Sequence, residues 1–330
     1  TNFGADFAFL EDRIYGSFDT YNSDTEDLLL FVSVPASTGF TTALKNIGKV
    51  NNKGLEFNLT SRNLSGELSW STDFNYSTNK NEVIELGGKN EPIYSKGSAG
   101  VRHVTRVGDA VGSYFGWVVD GVYQSQSEID SAPTDKMAKA PRPGDFRFKD
   151  INGDGIVDSD DRTITGSYNP DFIWGITNRF KYKNIDLSIF FQGVEGREIL
   201  NLTARHMKNG EANFNSYDVL NNRWISESQP GDGKTPRADR STGTHGNNNR
   251  PSSYQVEDGS YARLKNLTIG YTLPNSMSEK YANNIRLYFT AKNLATWTDY
   301  IGFNPEVSLQ SQNMLTQGED YGAYPLSVSL

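Results

Sequence analysis

Apolar and polar residues alternate at every second position through much of this chain. In segment 66–80, for example, Leu68, Trp70 and Phe74 are each followed by a polar residue. Successive side chains of a strand point to opposite faces, so this pattern predicts strands with one apolar and one polar face. It predicts nine strands, over 2–10, 13–24, 49–62, 66–80, 170–181, 185–200, 261–273, 284–297 and 322–330.

The connections between these strands alternate strictly between short and long. The short ones are 11–12, 63–65, 182–184 and 274–283, and the long ones are 25–48, 81–169, 201–260 and 298–321. In an antiparallel meander this order places every long loop at one end. That asymmetry is typical of outer-membrane β-barrels, whose periplasmic turns are short and whose extracellular loops are long.

The predicted fold class is therefore all-β, as part of a large antiparallel transmembrane β-barrel. Bacterial barrels of a single chain have even numbers of strands, and open edges in lipid are costly. Nine strands therefore indicate one part of a larger wall, with residues 1–330 as a single barrel segment. The alternative from pattern alone is a soluble β-sandwich with long, decorated loops.

The composition argues against several other classes of protein. Aromatic residues make up 12% of the 330 residues, which argues against disorder. No apolar run reaches the roughly 20 residues of a spanning helix. The formal net charge of -8 argues against nucleic acid as a partner, and the absence of cysteine excludes thiolate metal sites and cysteine nucleophiles.

Several motifs, in their order along nearly the whole chain, resemble those of SusC/RagA-like TonB-dependent transporters of Bacteroidetes. They are DLLL at 27–30, NIGKV at 46–50, NKGLE at 52–56, GDFRFKD at 144–150, NGDG at 152–155, NPDF at 169–172, FFQG at 190–193, YARLKNL at 261–267, AKNL at 291–294 and YP at 324–325. The resemblance is specific because the motifs are many and collinear.

The resemblance implies the C-terminal nine strands of a plugged barrel of the 22-strand type. It implies TonB-dependent import of a nutrient across the outer membrane, an oligosaccharide first and a peptide as the alternative. The implied partners are a SusD-like surface lipoprotein that acts as a lid, the TonB complex and outer-membrane lipid. The plug domain and the TonB-contacting segment are expected outside these 330 residues.

The sharpest local motif is a twelve-residue loop at 150–161. It offers oxygen ligands at Asp150, Asn152, Asp154, Asp158 and Asp161, with glycine at the sixth position. The seventh residue, Ile156, offers its backbone carbonyl, as in the calcium loop of EF-hands. The pattern predicts a structural Ca²⁺ site, although the last ligand is aspartate rather than glutamate. The alternative is an Asp/Asn/Gly turn without an ion.

Aromatic residues in the two longest loops are candidates for contact with a substrate or with the lid. They are Tyr114, Phe115, Trp117, Tyr123, Trp224 and Tyr254. The alternative for each of them is that it packs one loop against another.

No enzyme is predicted. The sequence has no G-x-S-x-G elbow, Walker loop or dinucleotide fingerprint, and its three histidines lack metal-ligand spacing. The predicted function is nutrient import. The rival from another class is a soluble calcium-stiffened adhesin or glycan-binding module, and the rival within the barrel class is a receptor that signals.

Overall fold

The computed structural model describes residues 1–33, 39, 42–87, 89–97, 100–136, 140–208, 210, 216–238, 247–274, 276, 282, 284–307, 314–321 and 328–329. No helix in these ranges is both long and apolar enough to span a membrane.

The largest element is an eight-stranded antiparallel sheet, here called the wall. Its strands, in spatial order, are β1 (Asn2–Phe9), β2 (Ile14–Ser33), β3 (Thr42–Ser65), β4 (Leu68–Leu86), β13 (Phe172–Tyr182), β14 (Ile185–Glu195), β17 (Tyr261–Thr272) and β18 (Arg286–Trp297). Each strand pairs with its sequence neighbour among the eight, so the short connections all lie at one end. The predicted meander and its loop asymmetry are confirmed.

Smaller elements lie in the long connections at the opposite end, here called the cap. Its strands are β5 (Ile93–Gly97), β6 (Gly100–Thr105), β7 (Ser113–Gly116), β8 (Val119–Val122), β9 (Thr134–Asp135), β10 (Phe146–Phe148), β11 (Ile156–Val157), β12 (Thr163–Gly166), β15 (Glu198–Asn201), β16 (Val256–Asp258) and β19 (Glu319–Asp320). Its helices are α1 (Gln126–Ser131) and α2 (Ala204–Met207), with 3₁₀ turns at Ser159–Asp161, Asp218–Asn222, Asn247–Asn249, Ser253–Gln255 and Met314–Thr316.

The predicted long loop 25–48 is mostly strand. β2 runs on to Ser33 and β3 already begins at Thr42, with backbone pairs from Thr25↔Val50 to Ser33↔Thr42. Backbone ladder bonds do not require alternating side chains, so a polar or mixed segment can extend a hairpin beyond its apolar part. The wall strands β2, β3 and β4 therefore contain 20, 24 and 19 residues, well above the roughly 9–11 that cross a bilayer.

Two other predicted strands, 185–200 and 322–330, are compared here with the strands of the structure. The segment 185–200 is divided into β14 and β15 at Gly196, whose φ of +73° suits glycine. Of the ninth predicted strand, 322–330, residues 322–327 and 330 lie outside the described ranges. Ser329 forms an antiparallel bridge to Lys292 of β18, with N–O distances of 2.8 and 3.3 Å.

Candidate functional site

One face of the wall is apolar across all eight strands. The register aligns Phe18 with Phe57, Phe57 with Tyr76, and Tyr76 with Trp174, so alternating residues of neighbouring strands fall on one surface. Large apolar side chains on this face are exposed, among them Phe3, Leu68, Tyr182, Ile185, Ile269, Tyr271, Leu287 and Phe289. Exposure of so much contiguous apolar surface is typical of a face that contacts lipid.

The opposite face of the wall is polar and charged. Thr60 donates a hydrogen bond to Asp73 at 2.8 Å, and Asp73 also pairs with Arg179. Nearer the short turns, Arg286 makes a bidentate ion pair with Asp186, at 2.9 Å through Nε and 2.5 Å through Nη2. Such a face suits a water-filled or plugged lumen.

The cap packs on the polar face of β4. The Asn81 side-chain oxygen accepts the Val111 N–H at 3.0 Å on this face, and at the adjoining strand edge the Val83 backbone exchanges 2.9 Å bonds with Asp109 and Gly108. Val83 is buried there together with Val50 and Leu86. Because the cap covers the polar side at this position and the apolar face stays bare, the polar face is the inner one.

Alternating rings and cations join the two longest loops within the cap. The Arg162 guanidinium carbon lies 4.3 Å from the Phe115 ring centroid and 5.0 Å from that of Trp117. The Arg250 guanidinium continues the series, 5.8 Å from Trp117 and 4.5 Å from Phe148. Cation–π contacts gain strength when they are desolvated, so this series stiffens the junction between the loops.

Tyr254 contacts both the ring cluster of the first long loop and Lys208 at the end of helix α2. The Tyr254 and Phe146 ring centroids are 4.6 Å apart, and the Lys208 ammonium lies 4.6 Å from the Tyr254 centroid. Burial raises the pKa of Tyr254 to about 12, so the phenol stays protonated at neutral pH.

Most of the aromatic residues predicted to contact substrate or lid are inside the cap. Tyr114, Phe115, Trp117 and Tyr123 are buried, and Trp224 and Tyr254 pack against the cluster around Trp117 and Phe146. A buried ring has no free face for a ligand. For the four buried residues, burial favours the loop-packing alternative, because these rings supply the apolar area that holds the long loops together, and contact with a substrate or the lid stays a prediction.

The candidate calcium loop is closed by its own side chains. Asp150 accepts the N–H groups of Gly153 at 2.6 Å and Gly155 at 2.8 Å, while Asn152 and Asp154 accept those of Asp154 and Ile156. Both of these glycines have positive φ angles, which the tight turns require.

The buried Asp161 carboxylate fixes the second half of this loop. It accepts N–H groups from Ile151 and Asp158, both at 2.8 Å, and Asp158 caps the 3₁₀ turn in return. No group of three or more His, Asp or Glu side chains in the described ranges is placed to hold a metal ion. The side chains of Asp150, Asn152 and Asp154 accept hydrogen bonds from N–H groups of the loop itself, and calcium binding stays a prediction.

Sequence reasoning missed the buried polar contacts that join distant loops. Asp145, with no exposed surface, accepts a 2.9 Å hydrogen bond from Arg237, and Arg250 pairs with Asp135 at 2.5 Å. The partners in each pair are far apart in sequence, so no local pattern signals them.

The last long connection is attached to the wall and cap through acidic residues. Glu306 pairs with both Arg263 and Lys265 of β17 at 2.5 Å, and the Tyr300 hydroxyl donates to Asp320. The buried His103 ring lies 3.7 Å from Glu319 through Nδ1. Burial lowers the pKa of His103 and disfavours the charged ring, although Glu319 opposes this effect.

A cavity of about 720 Å³ lies where the cap meets the wall. It is lined by residues 79–81 of β4, by 108–110 and by 169–171. Its volume falls in the range of ligand sites, about 300–1,000 Å³.

The chain was compared with known proteins. No protein-family model matches the chain. It is 36% identical to TonB-dependent receptor P3 of Formosa agariphila over 98% of this chain and 32% of that receptor. It is 27% identical to TonB-dependent receptor SusC of Bacteroides thetaiotaomicron over 99% of this chain and 30% of SusC. The chain thus spans about a third of the length of the curated relatives that it matches.

Solved structures show the same fold. A chain in the structure of the RagAB peptide transporter superposes with a TM-score of 0.75 at 22% identity, covering 99% of this chain and 34% of that one. The RagAB peptide importer in its open-open state gives a TM-score of 0.75 at 21% identity.

These similarities confirm the all-β fold as part of a TonB-dependent transporter barrel and the outer-membrane location. The relatives are receptors and transporters rather than enzymes, as predicted. Over nearly its whole length, the chain is similar to about a third of a SusC/RagA-like TonB-dependent receptor, as its motifs indicate.

Proposed function

We propose that the protein imports a nutrient across the outer membrane in a TonB-dependent manner, and that residues 1–330 form the C-terminal part of its barrel wall and cap. The observation that carries this proposal is the two-faced wall. Its outer face is apolar, its inner face is charged, and the cap packs on the inner face through Asn81 and Val83. A substrate path follows the inner face, because water and polar solutes are stable only there.

The proposed substrate is an oligosaccharide, with a peptide as the alternative. The resemblance of the sequence motifs supports the oligosaccharide, and the fold shared with the RagAB peptide transporter supports the peptide alternative. The proposed partners are a SusD-like lipoprotein on the cap and the TonB complex on the periplasmic side.

A soluble sandwich does not explain the wall. In a sandwich, the apolar face of the wall would have to pack against a second sheet. In the described part of the chain no second sheet packs there, and Leu287 and Phe289 are 63% and 51% exposed.

The test uses the full-length protein in its native cells. Deleting its gene should abolish growth on the imported nutrient, and complementation should restore growth only in a strain with intact TonB. Defined oligosaccharides and defined peptides are supplied in parallel as sole carbon sources. Wild-type growth of the deletion strain on every substrate would contradict import, and TonB-independent complementation would contradict energy coupling.

A further inference from the structure

A chain of hydrogen-bonded polar side chains crosses the apolar outer face of the wall near the short turns. Ser61 donates to the Asn63 side-chain oxygen at 2.8 Å, and Asn63 Nδ2 donates to the Thr72 hydroxyl at 2.8 Å. Thr72 in turn donates to Asn178 Oδ1 at 2.8 Å. The chain therefore joins β3, β4 and β13 and ends at the Asn178 amide.

Trp70 fixes the direction in which the Asn178 amide points. Its indole Nε1–H donates to the same Asn178 oxygen at 2.9 Å. An indole nitrogen only donates, so the amide oxygen faces Trp70 and the NH₂ group faces away from it. Within the described part of the chain, that NH₂ group donates to no protein acceptor. The bonds of the chain all run towards Asn178, and hydrogen bonds in series polarise one another, so this NH₂ group is a strengthened donor.

Asn178 is surrounded by apolar side chains of the outer face. Its direct partner in β14 is Ile189, and Ile176 and Phe180 lie two positions away from it along β13. The Phe180 ring stacks on Trp70 at a centroid distance of 5.6 Å. An N–H group without an acceptor is costly in hydrocarbon, so these surroundings favour an acceptor that comes from outside the chain.

The position of Asn178 along its strand matches the depth of the glycerol groups of a bilayer. It lies five residues before Lys183 in the short connection 182–184, about 13 Å along the membrane normal for a strand tilted by about 40°. The interfacial layer is about 5–7 Å thick, so a turn that projects a few Å into the periplasm puts Asn178 at the boundary with the acyl chains. Tyr182 and Trp70 lie between Asn178 and the turn, and these residue types concentrate at the head-group level.

We propose that Asn178 binds a phospholipid of the periplasmic leaflet, by donating a hydrogen bond from its amide NH₂ group to an ester carbonyl of the lipid. A carbonyl only accepts, which matches the free donor. The acyl chain of this lipid lies along Ile176 and Phe74, which continue the outer face towards the bilayer centre. The bound lipid fixes the level of the wall in the membrane. The inference goes beyond the proposed import function, because it depends on the membrane location and not on the substrate.

The test compares ester-linked with ether-linked phosphatidylethanolamine, which share a head group but differ in the carbonyl. The full-length protein is reconstituted in nanodiscs with an equimolar mixture of the two lipids and then extracted in mild detergent. The lipids retained per protein are quantified by mass spectrometry. Asn178→Leu removes the donor, and Ile189→Leu is the matched control because it changes the apolar surface at the same depth.

We expect Asn178→Leu to retain less lipid than wild type, and Ile189→Leu to retain as much as wild type. The lipid that Asn178→Leu loses should be ester-linked over ether-linked by about two- to tenfold, the range for one net hydrogen bond. Other lipid contacts are common to both proteins and cancel in this difference. Heat-dependent migration in SDS gels checks that each barrel is folded, and Asn178→Val replaces Asn178→Leu if that variant fails.

Equal retention by wild type and Asn178→Leu would overturn the proposal. An equal loss of ester-linked and ether-linked lipid would overturn the assignment to the ester carbonyl, because the phosphate group is common to both lipids. Growth on the nutrient does not enter these measurements, so failure of the import function would leave them unchanged.

Discussion

Trp174 lies over Gly193 on the outer face of the wall. The two residues are direct partners between β13 and β14, and a Cβ at Gly193 would stand 2.1 Å from the Trp174 indole nitrogen. Gly193→Ala therefore forces the ring to move, and overpacking of this kind costs about 1–3 kcal/mol. We expect a lower Tm for the full-length protein in detergent, measured by intrinsic fluorescence.

Gly66→Ala is the matched control for this substitution. Gly66 lies at a short turn of the same wall, and nothing lies within 4 Å of a Cβ built there. Its Tm should stay close to that of wild type. An equal loss in both variants would show that the indole contact is not the cause.

Asp161 is expected to hold the loop 150–161 closed. Asp161→Ala leaves the part-buried N–H groups of Ile151 and Asp158 without their acceptor, and each lost hydrogen bond costs about 0.5–1.5 kcal/mol. The loop should be cut faster in limited proteolysis, with the new termini mapped by mass spectrometry. Asp160→Ala, which alters an exposed neighbouring carboxylate, should be cut at the wild-type rate.

Calcium binding by the same loop is tested in that assay. If the predicted site exists, millimolar Ca²⁺ slows cleavage of wild type, in line with affinities of about 10⁻⁴–10⁻³ M for extracellular modules. Asp150→Asn should reduce the protection, and Mg²⁺ should not replace Ca²⁺. Identical cleavage with Ca²⁺ and with a chelator would contradict the prediction.

The Arg250–Asp135 ion pair is expected to hold the two longest loops together. Both side chains are only 7% exposed. Asp135→Ala leaves a buried guanidinium without this carboxylate, a change that typically costs about 3–5 kcal/mol. Asp135→Ala combined with Arg250→Met should recover much of that loss, because methionine keeps apolar contact with Phe148 without a charge. Thermal unfolding of the single and double variants measures the coupling, and additive losses would contradict it.

His103 should make the cap less stable in acid. Its pKa is lowered by burial in the folded state and returns to about 6.5 on unfolding. Below about pH 6.5 the unfolded chain therefore binds more protons than the native one, and stability falls as pH falls. Glu319 and Arg102 both act on this ring, with opposite effects on its pKa.

His103→Gln isolates this effect, because glutamine does not titrate. The Tm difference between wild type and variant should shrink as pH falls from 7.5 to about 5.5. Glu198, whose pKa burial raises, contributes the opposite slope but is present in both proteins. A Tm difference that does not change with pH would contradict the histidine as the cause.

The sequence by itself determined the wall. Alternation located its eight described strands, and the order of short and long connections established their antiparallel order. Both features are local, because strand period and turn length depend on residues next to one another in the chain. The sequence motifs also indicated the resemblance to SusC/RagA-like receptors without any tertiary information.

Only the tertiary structure decided the roles of the loop residues. Phe115 and Trp117 are residue types that are common in binding surfaces. In the structure Arg162 lies over both rings, and Arg250 also lies over Trp117. The tertiary structure likewise decided how far β4 is paired, because β13 stops pairing with it at Ile173 while β4 continues to Leu86. Burial and unpaired backbone groups depend on which distant segments meet, and no local pattern records that.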